Sequence, residues 1–210
     1  MDVLDLGRAG YAQTYERQLA LHEEVLAGSR PDTLILVEHD PVLTLGANFH
    51  EANLLLTPRE YRARGISVER TDRGGDVTYH GPGQLVIYPI FDLRRHGQDL
   101  HRWLRDLEET MLRTLHEFGL EGRRFAPHTG AWLDDLKVAA IGVKVRRWVN
   151  LHGIALNVSQ TPEAFSLIVP CGIENYGVTS LADALGREVT LDEVKPAVIS
   201  AFQSVFTGAS

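Results

Sequence analysis

Residues 73–84 read Arg-Gly-Gly-Asp-Val-Thr-Tyr-His-Gly-Pro-Gly-Gln and form the most distinctive part of the sequence. Its glycines can adopt positive φ or let a ligand approach the main chain closely. Residues 77–79 favour a short strand, and residues 85–88 favour a second one. We therefore expect charged and hydrogen-bonding side chains to be held on glycine-flexed β-structure. An ordinary tight β-hairpin is the alternative interpretation.

The composition excludes several classes of protein. The chain has 210 residues, of which 44% are hydrophobic and 23% charged, as expected of a globular protein with a sizeable core. A net charge of -7 argues against a general nucleic-acid binder. No signal peptide or membrane-spanning run is evident. The single cysteine, Cys171, cannot form an internal disulfide, so we expect a cytoplasmic protein. From the net charge and the lack of a membrane-spanning run, we expect no nucleic-acid or membrane partner.

Patterns along the chain predict one α+β domain over residues 1–210, with a largely antiparallel sheet and helices packed on it. Helices are predicted over residues 11–27, from 58 to 65 after a capping box, over 99–118, and over 191–206. Pro196 should kink the last helix or delay its start. The apolar stripe of the third helix consists of Leu100, Leu104, Leu107, Met111, Leu115 and Phe118. Further strands are predicted over 3–6, 33–37, 66–70, 130–133, 137–143, 145–149 and 152–158, with a strand or loop over 41–46.

Two residues could carry chemistry. Cys171 lies between a proline and a glycine, which places it on a turn, although a lone cysteine is usually a small buried hydrophobe. A thiol has a reference pKa of about 8.5, so a nucleophilic cysteine needs a nearby cation. Lys137 begins an otherwise apolar run and must either reach out to solvent or point into a polar pocket. The residues alone leave these alternatives open.

The histidines and glycines give weaker signals. None of the nine histidines shows a metal-binding spacing, so we expect no metal and no cofactor. His80 and His152 each precede a glycine, and a structural role is the default for both. Arg73 with its two following glycines could face a phosphate, but two glycines are a weak signal.

Four motifs taken together resemble the lipoyl(octanoyl) transferase family. They are residues 73–84, the Lys-Val-Ala-Ala-Ile-Gly run at 137–142, the His-Gly-Ile-Ala-Leu-Asn run at 152–157, and Pro-Cys-Gly-Ile at 170–173. They occur in the order and at the spacing of that family and cover nearly the whole chain. One departure is the Ala-Trp-Leu run at 131–133, where the family usually has a valine-tryptophan-valine type of run.

The resemblance implies a biotin/lipoate ligase catalytic-domain-like fold, with a mixed, mainly antiparallel sheet flanked by helices. It implies transfer of an octanoyl group from octanoyl-acyl carrier protein to a lysine of lipoyl domains, the first step of endogenous protein lipoylation. The acceptors would be the lipoyl domains of 2-oxoacid dehydrogenase complexes and the glycine cleavage H protein. Cys171 would hold the acyl group as a thioester, and Lys137 would lower its pKa. The residues implied for the acyl site are Arg73, Gly74, Gly75, Asp76, Val77, Thr78, Tyr79, His80, Ala140, Ile141, Gly142, Gly153, Ile154 and Ala155.

Both protein partners are expected to be acidic, so docking would need a local basic surface. The candidates are Lys144, Arg146, Arg147, Arg123, Arg124, Arg94 and Arg95, unless these are ordinary solvated charges. Two other functions remain: an ATP-dependent lipoate or biotin ligase on the same fold, and a catalytically silent module that binds the acyl carrier. The setting of Cys171 and the lack of an accessory C-terminal domain argue against the ligase.

Overall fold

The computed structural model describes residues 1–160, 165, 167–168 and 177–207. Its strands are β1 (Asp2–Ala9), β2 (Thr33–His39), β3 (Val42–Leu45), β4 (Ser67–Arg70), β5 (Val77–His80), β6 (Gln84–Ile90), β7 (Arg123–Phe125), β8 (His128–Leu133), β9 (Leu136–Arg146), β10 (Val149–Asn157) and β11 (Gly177–Val178). Its α-helices are α1 (Tyr11–Leu26), α2 (Pro58–Ala63), α3 (Leu100–Glu117), α4 (Leu181–Leu185) and α5 (Leu191–Thr207). None of these described helices is long and apolar enough to cross a membrane.

The strands form two sheets. The large sheet has the order β1-β2-β6-β10-β9-β8-β7, with β11 paired to β9, and the small sheet has the order β4-β3-β5. Among the described strands of the large sheet, the β1–β2 and β11–β9 pairs are parallel and the others are antiparallel. The prediction of a mixed, mainly antiparallel sheet flanked by helices is therefore confirmed.

Helices cover both faces of the large sheet. On one face α3 and α5 bury a core that includes Leu107, Met111 and Phe202. On the other face α1 packs Leu21 and Val25 against β2 and β6. A third cluster lies between α2 and the small sheet. The α1 face also carries the candidate site, because the small sheet and the loop before β5 extend over it.

The helix boundaries follow the predicted signals, with one error in a helix face. Thr57 forms a capping box with Glu60 at the start of α2, and Asp99 accepts backbone hydrogen bonds at the start of α3. The predicted stripe of α3 is wrong at Leu100, which is 47% exposed, whereas Trp103 is buried one turn later. α5 begins at Leu191 and continues through Pro196, so its start is not delayed.

Two predictions about strands are wrong. Residues 137–143 and 145–149 are not separate strands, because β9 runs without a break to Arg146 and the turn lies at Arg147 and Trp148. The hairpin interpretation of the glycine-rich stretch also fails, because β5 pairs with β3 whereas β6 pairs with β2 and β10. The turn at residues 81–83 instead carries the chain from the small sheet to the large one.

Candidate active site

The floor of the site is a set of small residues on neighbouring strands. Ala140 of β9 lies opposite Ala155 of β10, which in turn lies opposite Val86 of β6. Two residues further along each strand, Gly142 lies opposite Gly153. A Cβ atom on Gly153 would collide with the carbonyl oxygen of Ile87, so no larger residue fits there. These small residues leave an apolar slot above the sheet.

The glycine-rich loop forms the cover of the slot. The backbone N–H of Gly74 donates to the carbonyl oxygen of Val143 at 2.9 Å, which fixes the loop across β9. The guanidinium of buried Arg73 donates to the carbonyl oxygens of Gly74 at 3.0 Å and Asp76 at 2.8 Å. It also donates to the Thr44 hydroxyl. Arg73 therefore braces the loop from within, and its donors are engaged with the protein itself.

Most of the predicted acyl-site residues meet in this one cavity. The lining contains Arg73, Gly74, Gly75, Thr78, His80, Ala140, Ile141, Gly142, Gly153, Ile154 and Ala155, together with Tyr11, Val86, Tyr88 and His152. Ile141 and Ile154 pack their side chains into the α3–α5 core, so they present mainly backbone to the slot. The binding role of these residues stays a prediction.

Three of the predicted residues lie elsewhere. Val77 and Tyr79 point into the core between α2 and the small sheet. Asp76 accepts hydrogen bonds from the backbone N–H of His50 at 3.1 Å and from the amide of Asn53 at 2.6 Å. Asp76 therefore anchors the loop that follows β3 and does not line the slot.

A β-bulge directs Lys137 to the face of the sheet that carries the slot. The register of β8 with β9 shifts at this point, so that Trp132 pairs with Lys137 and Ala131 pairs with Ala139. Val138 and Ala139 are consecutive, yet both are buried in the α3–α5 core. The bulge thus reverses the usual alternation and returns Lys137 to the face of Ala140. Its ammonium nitrogen lies 4.9 Å from the centroid of the Trp132 ring.

Cys171 lies outside the described residues, and so do the other residues of its motif. Of the described residues on its two sides, Ile168 forms a bridge with Leu54, and Val178 pairs with Lys137. The closeness of Cys171 to Lys137 therefore stays a prediction.

His80 is a buried, neutral histidine in the wall of the slot. Burial lowers its pKa to about 3, and the nearby His39 adds to this effect. Its Nδ1 lies 2.7 Å from Oε1 of Gln84, so Nδ1–H donates to the amide oxygen. The Gln84 amide in turn donates to Oδ1 of Asn157 at 3.0 Å and to Oε1 of Gln160 at 2.9 Å. A network of neutral groups therefore borders the slot on this side.

His152 lies in a different environment at the opposite end of the slot. Its φ of 59 is unusual for a residue other than glycine and turns its imidazole towards α1. Nε2 lies 2.8 Å from Asp72, and the ring stacks on Tyr15 with centroids 5.1 Å apart. The hydrogen bond from His152 lowers the pKa of Asp72 to about 2. Burial lowers the pKa of His152, although Asp72 opposes that shift.

Four lining residues, Tyr11, Val86, Tyr88 and His152, were not among the predicted acyl-site residues. They differ in how strongly the sequence indicated them. His152 adjoins a glycine in a motif of the family, which marked it without giving it a role. Val86 and Tyr88 alternate within the predicted strand at 85–88, so period-two alternation places them on one face. Tyr11 begins α1 and carries no local signal; only the packing of α1 on the sheet brings it to the slot.

The predicted basic surface divides into two classes. Arg123 pairs with Asp135 at 2.6 Å, and Arg147 pairs with Glu23 at 2.6 Å. Arg124 pairs with Glu108 and Glu109, whereas Arg94 and Arg95 pair with Asp92. Within the described part of the chain, exposed Lys144 and Arg146 form no ion pair. These two are the members of the set best able to meet an acidic partner.

Comparison with known proteins identifies the family. The profile of the lipoyl protein ligase A/B catalytic domain matches residues 10–203. The chain belongs to this family. Within the family, it is 46% identical to the octanoyltransferase of Geotalea uraniireducens over 203 residues, which is 97% of this chain and 92% of that protein. It is 48% identical to the octanoyltransferase of Rubrobacter xylanophilus over 201 residues, or 95% and 90% of the two chains.

These relatives place the protein among the lipoyl(octanoyl) transferases, so it is an acyltransferase. Solved structures agree on the fold of the family. A bi-partite lipoate protein ligase from Thermoplasma acidophilum superposes with a TM-score of 0.75 at 19% identity, covering 98% of this chain and 83% of that one. A biotin protein ligase from Aquifex aeolicus in complex with biotin and ATP gives a TM-score of 0.61 at 14% identity, covering 98% and 70%. At these identities the likeness concerns the fold alone.

Proposed function

We propose that this acyltransferase moves an octanoyl group from octanoyl-acyl carrier protein to a lysine of a lipoyl domain, through a thioester on Cys171. The observation that carries the proposal is the apolar slot, whose floor includes Ala140, three residues from Lys137 on the same strand and the same face. Three residues of strand span at most about 10 Å, which is close to the length of an extended eight-carbon chain. An acyl tail in the slot would therefore allow its carbonyl carbon to lie near Lys137.

The slot favours an unbranched apolar acyl group. Its floor offers alanine, valine and glycine, and its polar neighbours already hydrogen-bond to one another. Each methylene that is buried contributes roughly 0.8 kcal/mol, so a medium-length acyl chain binds without polar contacts. Polar or charged acyl groups would be desolvated without compensation and should be rejected.

In the first step, the Cys171 thiolate attacks the thioester carbonyl carbon of the donor. The new carbon–sulfur bond forms as the bond to the carrier sulfur breaks, and the carrier thiolate leaves and takes a proton. One thioester replaces another, so the exchange needs no ATP. The ammonium of Lys137 would favour the thiolate form of Cys171 and so lower its pKa.

In the second step, the amine of the acceptor lysine attacks the acyl-enzyme. An amide bond forms, the Cys171 thiolate leaves, and the amine nitrogen loses a proton. Lys137 is the candidate relay for that proton: its ammonium would give a proton to the leaving thiolate and take the one that the amine loses. The low pKa of His80, about 3, makes that imidazole a poor base for the same task. Residues Ala140 and Ala155 would keep the acyl chain in place through both steps.

The test is a transfer assay read by the intact mass of a lipoyl domain. We expect octanoylation with octanoyl-acyl carrier protein in the absence of ATP, and none with free octanoate and ATP. The Cys171→Ser variant should transfer nothing, because a hydroxyl is a much weaker nucleophile near neutral pH.

Two outcomes would replace the proposal. Modification that requires free acid and ATP would make the protein a ligase of the kind seen among its structural neighbours. Tight binding of the acyl carrier with no modification under either condition would make it a silent acyl-binding module.

A further inference from the structure

A chain of buried amide hydrogen bonds links the slot to the backbone of Lys137. His80 donates to Gln84, and Gln84 donates to Asn157 at 3.0 Å. Nδ2 of Asn157 donates to the carbonyl oxygen of Thr179 at 3.0 Å. The N–H of Thr179 donates to the carbonyl oxygen of Lys137, also at 3.0 Å. Every side chain that forms these bonds is buried.

The sheet explains why this link is needed. β10 pairs with β9 only as far as Leu156 opposite Ala139, so Lys137 lies beyond the last partner that β10 provides. There β11 and Thr179 take the place of β10 beside β9. Asn157, the last residue of β10, connects the two edges by its bond to Thr179.

The same amides hold the chain on both sides of the Cys171 segment. Gln84 Nε2 donates to Gln160, which precedes the segment, and Asn157 binds Thr179, which follows it. Both amides are neutral and each is used in one fixed orientation, since its oxygen accepts and its nitrogen donates. An aspartate or glutamate of the same shape could accept these bonds but could not donate them.

We propose that Gln84 and Asn157 are positioning residues that fix Lys137 at the end of the slot. Neither residue is among those that line the slot, and their link to Lys137 runs through Thr179. Asn157→Asp would set a carboxylate oxygen against the carbonyl oxygen of Thr179, which should displace Thr179 and with it Lys137. The importance of Lys137 for catalysis rests on the proposed function, whereas the position of its ammonium does not.

The position of Lys137 can be measured directly, because the chain has three lysines, at 137, 144 and 195. Reductive methylation with ¹³C-formaldehyde labels each amine and keeps its charge. The ring of Trp132, 4.9 Å from the Lys137 nitrogen, should shift the Lys137 methyl resonance away from those of the other two lysines. Loss of one resonance in Lys137→Met assigns it.

Asn150→Asp is the matched control. Asn150 lies on the same strand, is fully buried, donates to the carbonyl oxygens of Pro89 and His152, and accepts from Trp103. We expect the Lys137 resonance to lose its displacement in Asn157→Asp and to keep it in Asn150→Asp. An unchanged resonance in folded Asn157→Asp, or an equal change in both variants, would overturn the proposal.

Gln84→Glu provides a second reading if Asn157→Asp does not fold. It keeps the oxygen that accepts from His80 and loses the nitrogen that donates to Asn157. The Lys137 resonance should shift towards those of the other two lysines, as in Asn157→Asp. An unchanged resonance would count against the proposal. The NMR experiment needs no substrate, so its failure is distinct from a failure of octanoyl transfer, which the mass of the lipoyl domain reports.

Discussion

The two buried histidines of the slot have similar sequence contexts and different chemical surroundings. His80 donates to an amide, whereas His152 contacts the carboxylate of Asp72. His80 belongs to the network that reaches Lys137, and His152 lies at the far end, opposite Val143. The network that reaches Lys137 therefore consists of neutral side chains, whereas His152 at the other end contacts a carboxylate.

The difference has a chemical consequence. A carboxylate beside the thiol would disfavour the thiolate and so raise its pKa, whereas amides have no net charge. In the proposed mechanism, neutral partners near Lys137 would leave the influence of its ammonium on the Cys171 thiol undiminished. The Asp72 carboxylate, at the far end where an acyl tail would stop, would not raise the pKa of that thiol.

Removing the charge of Lys137 should have the largest effect. Lys137→Met keeps an apolar stem, and we expect octanoyl transfer to fall by about 10²–10⁴-fold, the range for loss of an acid–base group. The Cys171 thiol should also titrate closer to its reference pKa of about 8.5, which slows alkylation by iodoacetamide near pH 7. Lys144→Met, assayed at saturating acyl carrier so that a change in docking does not alter the rate, serves as the control. Superimposable pH profiles for the Lys137 variant and the wild type would show that another group sets the thiol pKa.

His80 should make the protein sensitive to acid. Its pKa in the folded protein, about 3, is below the ordinary histidine value, so the unfolded state takes up a proton first as the pH falls. Stability is thus intact above about pH 6.5 and is lost towards pH 3, at up to about 1.4 kcal/mol per pH unit. His80→Gln should flatten the pH dependence of the free energy of unfolding in this window, and His101→Gln, at an exposed site, should not. An unchanged slope in His80→Gln would contradict the neutral assignment.

Asp72 should show a smaller effect of the same sign at lower pH. Its folded pKa of about 2 is below the ordinary aspartate value, so its stabilising contribution is present above about pH 4 and is lost as the pH falls towards 2. The Asp72 side chain is 45% exposed, which weakens its interaction with His152 through solvent screening. Urea unfolding of Asp72→Asn should therefore depend less on pH below 4 than that of the wild type, with transfer near pH 7 reduced much less than in Lys137→Met. A transfer loss as large as that of Lys137→Met would remove the distinction between the two ends.

The smallest effect is expected from surface charge. Reversal of Lys144 and Arg146 to glutamate should raise the apparent KM for the acyl carrier a few-fold at low salt, because these exposed cations form no ion pair among the described residues. Reversal of Arg123 and Arg124 should leave the apparent KM nearly unchanged. It should instead lower the stability of the fold, because Arg124 pairs with buried Glu108. Steady-state kinetics in low and high salt, with thermal unfolding of each variant, separates the two. The opposite order of KM effects would move the docking surface to β7.

The sequence was informative where local chemistry decides the structure. Capping residues such as Thr57 and Asp99 begin their helices as predicted, because the side chain itself satisfies backbone donors there. The acyl-site motifs meet because strand register brings Gly142 opposite Gly153. The strand register could not be read from the sequence. The family resemblance nevertheless predicted that both motifs belong to the acyl site.

Backbone conformation and long-range pairing set the limit of prediction. Arg147 and Trp148 form a turn with positive φ although neither residue favours it, so nothing marked the end of β9. Likewise, no sequence signal predicted the positive φ of His152, which turns its ring to the slot, or the bulge that redirects Lys137. In the sequence, Gln84 and Asn157 are ordinary strand residues. Only the three-dimensional structure shows that their side-chain amides hydrogen-bond to each other.

Peptide-level mass spectrometry can show whether a thioester forms on Cys171. The wild-type enzyme is mixed with octanoyl-acyl carrier protein without an acceptor, quenched in acid and digested. We expect one octanoyl increment on the peptide that contains Cys171, its removal when a lipoyl domain is added before the quench, and its absence in Cys171→Ser. Octanoyl transfer to the lipoyl domain at the wild-type rate by Cys171→Ser, with no acyl-enzyme at any time, would contradict the thioester mechanism.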